Sequence, residues 1–217
     1  MGGNYHSLDD LPSTIDVFPL RDILLLPRGQ LPLNVFEPRY LALVDTALSG
    51  TRMIGMIQPT QHEDKVLKPT LSTIGCAGRL TSYRESDDGR YLITLTGICR
   101  FRVVEELETA APFRQVKADF APFLRDLVAA DEADFPRDRL LGALKDYLSR
   151  RDMQADWRSV LDAAPETLVN ALAMLCPFEP AEKQALLEAP GWLERVDTLI
   201  ALLEMANARP PGPASLN

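Results

Sequence analysis

Apolar and polar residues alternate along much of the first half of the chain, a pattern typical of β-strands that bury one face. The clearest alternation runs through residues 91–103, where the apolar positions are Tyr91, Ile93, Leu95, Cys99, Phe101 and Val103. Residues 74–80 show the same period, and the intervening Asp88-Gly89 pair is typical of a tight hairpin turn. The pattern therefore predicts two long antiparallel strands joined by a hairpin.

Shorter segments of the same half extend this β-rich prediction. Further strands are predicted at residues 15–20, 31–36, 52–58 and 116–120. Between Pro38 and Gly50 the period becomes helical, which predicts one short amphipathic helix. Glycines at 75, 78 and 97 interrupt the hairpin strands and predict bulges that bend the sheet towards a barrel.

The chain changes character after Asp131, where strong helix formers replace β-branched residues. Helices are predicted at residues 136–150, 154–163, 165–175, 180–188 and 192–208, and proline opens three of them. We therefore predict an α+β protein with a flexible N-terminus (1–14), a β-rich subdomain (15–125), a helical bundle (126–208) and a disordered tail (209–217). The tail prediction depends on its three prolines, which cannot continue a helix.

Composition and charge narrow the classes of function. The 217 residues are 46% hydrophobic, which suffices for a core without disulfides, and the net charge of −8 disfavours nucleic acid as a partner. The odd set of three cysteines, none spaced as Cys-x-x-Cys, indicates a reducing compartment. No apolar run is long enough for a secretory signal or a bilayer span, so we expect a cytoplasmic protein with no membrane partner.

Motifs that carry chemistry are absent from the sequence. It contains no phosphate-binding loop, dinucleotide fingerprint, serine-hydrolase elbow or zinc-protease helix motif. Cys76 and Cys99 fall on the predicted buried face of the hairpin, where a thiol is inert, and only two histidines are available for a metal. We therefore predict no catalytic residue, no metal site and no cofactor.

Three segments near the N-terminus carry a family resemblance. The sequences FPL at 18–20, LLLPRGQLPL at 24–33 and VFEPRYL at 35–41 resemble the opening signature of the N-terminal, substrate-binding domain of Lon proteases. The motifs GCAGRL at 75–80, DGR at 88–90 and GICRFRV at 97–103 resemble the central hairpin of that family. The segment EKQALLE at 182–188 is similar to the closing helical region, so the resemblance extends over about residues 15–205.

This resemblance implies a PUA-like β-barrel or pseudo-barrel followed by a helical bundle. It also implies a non-catalytic module that binds unfolded or exposed polypeptide segments, acting as an adaptor or regulator in protein quality control. Lon proteases continue into an ATPase with a Walker A loop and a protease with a Ser-Lys dyad, whereas this chain ends at Asn217. We therefore expect a freestanding domain that is not an enzyme. Its expected partners include a Lon-type or other ATP-dependent protease, and the oligomeric state is left open.

The candidate binding residues are Leu31, Phe36, Arg39 and Tyr40, because aromatic residues and arginine dominate binding hot spots. They belong to a segment, residues 24–40, whose strand edges could accept the backbone of an extended peptide. The structural alternative is that Phe36 and Tyr40 pack beneath the helix while Glu37 pairs with Arg39.

Two other classes of function stay open at this level. An RNA-binding PUA-like module would use the one concentration of basic residues, Arg79, Arg84, Arg90, Arg100 and Arg102. A small-ligand sensor is suggested only by the two-part architecture of the chain.

Overall fold

The computed structural model describes residues 5–60 and 68–208, and these divide into two compact units. The first unit ends at Ala129 and the second begins at Ala130. The first is a mixed sheet with one α-helix and the second is helical, so the predicted α+β class is confirmed. His62 and the predicted tail at 209–217 lie outside the described residues, as do the first four residues of the predicted flexible N-terminus.

Six strands form the sheet of the described part of the first unit, and all the predicted strands are present. Their bounds are β1 Thr14–Pro19, β2 Gln30–Val35, β3 Met53–Ile57, β4 Ile74–Glu85, β5 Tyr91–Leu107 and β6 Arg114–Asp119. Helix α1, Pro38–Ser49, begins with proline at its first turn and ends before Gly50, as the sequence predicts. Two short 3₁₀ segments, Leu8–Asp10 and Ala121–Leu127, flank the sheet in sequence.

Strand β5 organises the sheet because it is long enough to pair with three other strands. It pairs with β4 from Tyr91 to Arg102, with β2 at residues 91–96 and with β6 at residues 102–107. Strand β6 pairs with β1, β1 pairs in parallel with β3, and β3 pairs with β4. Five strands therefore form a closed ring of pairings, which is compatible with the predicted PUA-like barrel.

Glycines allow the hairpin to bend. The register between β4 and β5 shifts at Ala77 and Gly78, which confirms a bulge at that point. Gly97 has a second role, since a Cβ there would lie 2.0 Å from the main-chain oxygen of Leu26. The segment before β2 can therefore cross β5 only where the side chain is absent.

The core of the first unit contains the alternating residues of the hairpin together with residues from every neighbouring strand. Ile15, Val17, Met53, Cys99 and Phe101 are all buried in one apolar cluster. Phe120 and Phe123, from the segment after β6, also belong to it. The two cysteines of the hairpin, Cys76 and Cys99, lie on the buried side as predicted.

The second unit contains five helices in its described part. They are α2 Arg137–Arg150, α3 Trp157–Asp162, α4 Pro165–Leu175, α5 Pro180–Glu188 and α6 Trp192–Ala208. Helix α3 begins three residues later than the sequence predicts, because the side chain of Asp156 accepts hydrogen bonds from the N–H groups of Arg158 and Ser159 and caps the helix there. Buried side chains of α6, among them Leu199 and Leu203, contribute to the core of this unit.

Candidate functional site

Tyr40, one of the four predicted binding residues, belongs to the core. Its side chain is 5% exposed, and its ring centroid lies 4.1 Å from that of Phe18 on β1. Its hydroxyl is 3.5 Å from the carbonyl oxygen of Pro19, and burial raises the pKa of this hydroxyl. Tyr40 therefore lies on the buried side of α1 and packs against β1, in agreement with the structural alternative for this residue.

Phe36 shows the opposite behaviour, because its side chain is 62% exposed. The structural alternative, in which Phe36 packs beneath the helix, is therefore wrong. The reason is local: Val35, the last residue of β2, is buried, and the side chain of the following residue points to the other side of the sheet. The Cζ atom of Arg90 lies 5.9 Å from the centroid of the Phe36 ring.

Arg39 and Leu31 complete the predicted set, and they differ in exposure. Arg39 is exposed and forms an ion pair with Glu37 at 2.8 Å, while its Cζ lies 4.4 Å from the Tyr40 ring centroid. Leu31 is half-buried and paired with Leu95 across β2 and β5. Because Tyr40 is buried and Leu31 is half-buried, the four predicted residues are not all available to a ligand.

An open groove lies on the face of β2, β5 and β4, near the hairpin turn. Its volume is about 440 Å³, and we call it the hairpin groove; its lining residues are Pro32, Leu33, Asn34, Ser82, Arg84, Leu92, Ile93 and Thr94. The strand registers place six of these residues in two cross-strand rows, Asn34–Leu92–Arg84 and Pro32–Thr94–Ser82. The groove thus combines apolar and hydroxyl-bearing side chains with the single cation of Arg84.

Phe36 and Arg90 lie two residues beyond this groove, on the side of the hairpin turn. Asn34 pairs with Leu92, and continuing that register brings Phe36 level with Arg90, in agreement with their ring contact. Since a strand rises about 3.3 Å per residue, the aromatic ring begins about 7 Å from the first row of the groove. An extended chain could contact both.

The edge of β2 is only partly suited to adding another strand. Within the described residues β2 pairs on one side alone, with β5. The N–H of Gly97 donates to the carbonyl of Gly29 at 2.9 Å. In an antiparallel pair every second residue hydrogen-bonds to the partner strand, so the backbone groups of Leu31, Leu33 and Val35 are directed towards β5. Pro32 therefore lies on the free side, where it has no N–H to donate.

The support beneath this end of the sheet is an aromatic pair. Tyr83 and Tyr91 make an edge-to-face contact with ring centroids 5.1 Å apart. Partial burial, together with hydrogen bonds involving Asp45 and Tyr83, raises the pKa of Tyr91 to about 12. Because Asp45 belongs to α1, this contact joins the hairpin to the helix and holds the groove in place.

Most of the groove is not predicted by the sequence pattern. The alternating pattern does not single out Asn34, Ser82, Leu92 or Thr94 as neighbours. For Arg84 the sequence indicates only membership of a group of basic residues near the hairpin. The period-2 pattern identifies which residues share a face of one strand, whereas the register between strands decides which of them are neighbours.

The basic residues of the hairpin are largely engaged within the protein. Arg100 is buried against Asp126, Arg79 donates to the hydroxyl of Tyr5 at 2.7 Å, and Arg90 pairs with Asp88 at 2.9 Å. The positive charge that an RNA-binding surface needs is thereby reduced to Arg84 and Arg102.

The thiols are poorly suited to nucleophilic chemistry. Burial raises the pKa of Cys99 to about 12 and that of Cys176 to about 11, so neither forms a thiolate near neutral pH. Across the described ranges, no three His, Cys, Asp or Glu side chains are grouped so that they could hold a metal ion. None of the helices in these ranges has the length and apolar character needed to cross a bilayer.

Comparison with known proteins assigns most of the chain to one family model. Residues 14–205 match the model described as the ATP-dependent protease La (LON) substrate-binding domain. The chain is 26% identical over 204 residues to Lon protease 2 of Myxococcus xanthus, covering 90% of this chain and 24% of that protein. It is 30% identical over 212 residues to the peroxisomal Lon protease homolog 2 of Danio rerio, covering 89% of this chain and 25% of that protein. The chain thus spans about a quarter of the length of these relatives.

Solved structures share the fold. The N-terminal domain of a Mycobacterium avium complex Lon protease superposes with a TM-score of 0.62 at 16% identity, covering 88% of this chain and 98% of that one. A Lon N-terminal domain protein from Xanthomonas campestris gives a TM-score of 0.56 at 22% identity, with the same coverage of both chains.

Proposed function

The chain belongs to the family of Lon substrate-binding domains, and from that premise we propose that it binds unfolded or exposed polypeptide segments in the hairpin groove. The observation that carries the proposal is the position of Phe36. Its ring is exposed beside an open groove whose lining includes Pro32 and Leu92. An aromatic side chain left in water at the end of a groove gains apolar contact area when a peptide covers it.

The binding mode that fits this geometry is contact with side chains in the groove. Strand addition at β2 would leave a carbonyl of the incoming chain without a donor at Pro32. In the groove, by contrast, Asn34, Ser82 and Thr94 offer amide and hydroxyl groups that can satisfy a peptide backbone. The peptide is therefore held by apolar contacts and a few neutral hydrogen bonds, which allows many sequences to bind.

Phe36 is the anchor of this proposal, and the other predicted residues have supporting roles. Tyr40 and Leu31 shape the helix and sheet that support the surface, since Tyr40 is buried and Leu31 is half-buried. Arg39 is held by Glu37 and can contact a ligand only at the margin. We assign the binding surface to the β-rich subdomain, for which residues 15–125 remain the proposed bounds.

We further propose that the matched region binds without catalysis and that its clients are destined for a Lon-type or other ATP-dependent protease. The relatives named above are whole Lon proteases, of which this region is about a quarter. The buried thiols, with their raised pKa values, support a binding role over a catalytic one. A cytoplasmic location and an adaptor or regulatory role in protein quality control are part of the same proposal.

The proposal is tested with a reduced and alkylated, fluorescently labelled protein as the unfolded client. Fluorescence anisotropy should show saturable binding with a Kd on the order of 1 μM, equivalent to about −8 kcal/mol. Phe36→Ala should weaken this binding fivefold to tenfold, roughly the effect of losing a moderate hot spot. The matched control is Val104→Ala on the distant half of β5, where the side chain is 55% exposed.

Equal affinities of the wild type and Phe36→Ala for the client would refute the assignment to this groove. Absence of any saturable binding by the wild type would refute polypeptide binding as a whole. Unfolding by urea should be nearly unchanged in both variants, because both side chains are exposed.

A further inference from the structure

Arg84 is the one charged residue that lines the hairpin groove. It lies on β4 opposite Leu92, and its side chain is exposed. Within residues 5–60 and 68–208, no carboxylate forms an ion pair with it. The charge of the Arg84 guanidinium is therefore available to a ligand in the groove.

The other arginines near the groove differ in this respect. Arg39 pairs with Glu37 at 2.8 Å, and Arg90 pairs with Asp88 at 2.9 Å. Each of these cations is neutralised by an acidic residue close to it in sequence. Because the whole chain carries a net charge of −8, a cation without a counter-charge is a local exception that attracts anions.

The neighbours of Arg84 indicate which anion fits. Asn34 and Leu92 share its cross-strand row, and Pro32 and Thr94 belong to the next row. A phosphate group is favoured where several cations or a helix N-terminus converge, and the groove offers a single guanidinium. A carboxylate matches that guanidinium through two parallel hydrogen bonds, and apolar neighbours of the carboxylate can contact Leu92 and Pro32.

We propose that Arg84 makes the hairpin groove selective for segments that carry a carboxylate beside apolar residues. This inference rests on the proposed function, because it names the polypeptide class that the same groove prefers. Phe36 lies two residues along the strands and two strand spacings across from Arg84, so their backbones are on the order of 12 Å apart. Because an extended segment rises about 3.3 Å per residue, an apolar side chain on Phe36 and a carboxylate on Arg84 can come from residues about four apart. The carboxylate belongs either to an Asp or Glu side chain or to the end of a chain.

The experiment uses three short labelled peptides that share flanking apolar residues. The first has a central Asp and an amidated C-terminus, the second has Asn and an amidated C-terminus, and the third has Asn and a free terminal carboxylate. Their affinities are measured for the wild type, Arg84→Gln and Arg102→Gln. Arg102→Gln is the matched control, because it removes the same charge from an exposed position of β5 outside the groove. Arg102 lies on the order of 30 Å along β5 from Leu92.

The wild type and Arg102→Gln should bind at least one carboxylate peptide about threefold to fivefold more tightly than the amidated Asn peptide. Arg84→Gln should lose this preference and bind the carboxylate peptides no more tightly than the amidated Asn peptide. The peptide that binds more tightly than the amidated Asn peptide shows whether the groove prefers a side-chain carboxylate or a terminal carboxylate.

Two results would overturn the inference. One is the absence of any preference for a carboxylate in the wild type, and the other is a preference that Arg84→Gln retains. In both cases, continued binding of the amidated Asn peptide would leave the proposed function in place. Failure of all three peptides to bind the wild type would refute both the inference about Arg84 and the proposed polypeptide binding.

Discussion

The guanidinium of Arg100 forms a two-point ion pair with the carboxylate of Asp126 inside the first unit. The Nε–Oδ2 distance is 2.8 Å and the Nη2–Oδ1 distance is 2.9 Å. The main-chain N–H of Arg100 also donates to Oδ2 of Asp126, and Arg28 donates to the main-chain oxygen of Asp126. Since Arg100 is 3% and Asp126 is 6% exposed, this contact fixes the 3₁₀ segment after β6 against β5 in a site with little water.

Replacing Asp126 by alanine should lower the free energy of unfolding by about 3 to 5 kcal/mol, because Arg100 would keep a buried charge with no carboxylate to balance it. Urea unfolding followed by circular dichroism measures the loss. The control is Lys117→Gln, which removes an exposed ion pair with Glu105 and should cost less than about 1 kcal/mol. A loss in Asp126→Ala no larger than in the control would contradict the role assigned to the pair.

The pH dependence of stability should include a contribution from Glu106. Hydrogen bonds from Arg114, at 2.9 Å and 2.6 Å, lower the pKa of this carboxyl below 4.5, against a smaller opposing effect of burial, and Lys68 lowers it further. A carboxyl with a lowered pKa in the folded state stabilises the protein above its unfolded pKa, and the contribution disappears as the pH falls through the folded value.

Glu106→Gln should therefore be less stable than the wild type by about 1 kcal/mol at neutral pH, and the difference should shrink as the pH falls below 4.5. Urea unfolding at a series of pH values provides the comparison. Glu105→Gln, at the adjacent exposed position, should show a smaller difference at neutral pH. If the difference in the free energy of unfolding between the wild type and Glu106→Gln stayed constant down to acid pH, the ionised carboxylate of Glu106 would not be its cause.

Gly97→Ala should destabilise the protein by about 3 kcal/mol or more, since the new Cβ would meet the Leu26 carbonyl oxygen at 2.0 Å and the backbone would have to move. Gly142→Ala is the matched substitution in α2, where nothing lies within 4 Å of the new Cβ. That change should raise stability by about 1 kcal/mol, because alanine is the better helix former. Thermal unfolding should show melting temperatures that move in opposite directions, and a shift in the same direction would refute this account.

The three thiols should react slowly with iodoacetamide in the native protein at mildly alkaline pH. Cys76, Cys99 and Cys176 are all buried, and burial raises the pKa of Cys99 to about 12 and of Cys176 to about 11. Mass spectrometry after a short exposure should find unmodified protein, whereas the urea-unfolded chain should add three labels. Rapid labelling of a single cysteine in the native state would show a reactive thiol that this structure does not explain.

Local signals predicted most of the secondary structure. Asp88-Gly89 marked the hairpin correctly because the turn needs a positive φ, and Gly89 has a φ of 76°. Pro38, Pro165 and Pro180 marked helix starts because proline is preorganised for the first turn. These features depend on a few neighbouring residues, so the sequence contains the information needed to find them.

The candidate site was harder to predict, and Phe36 and Tyr40 show why. Both are aromatic residues in one short segment, yet Tyr40 packs on Phe18 and Phe36 is exposed beside Arg90. The difference depends on which face of the sheet each residue reaches after β2 ends and α1 begins. Arg84 and Leu92 became neighbours of Asn34 only through the register of three strands.

The amino-acid sequence by itself determined the order of strands and helices, the hairpin and the family signature, because periodicity, turn residues and helix starts act over a few positions. Tertiary structure decided that β5 pairs with β2, β4 and β6, that Asp126 neutralises Arg100 and that an exposed Phe36 lies near a groove lined by Arg84. These outcomes join residues that are far apart in the chain. Their energies depend on register and burial, which no local pattern specifies.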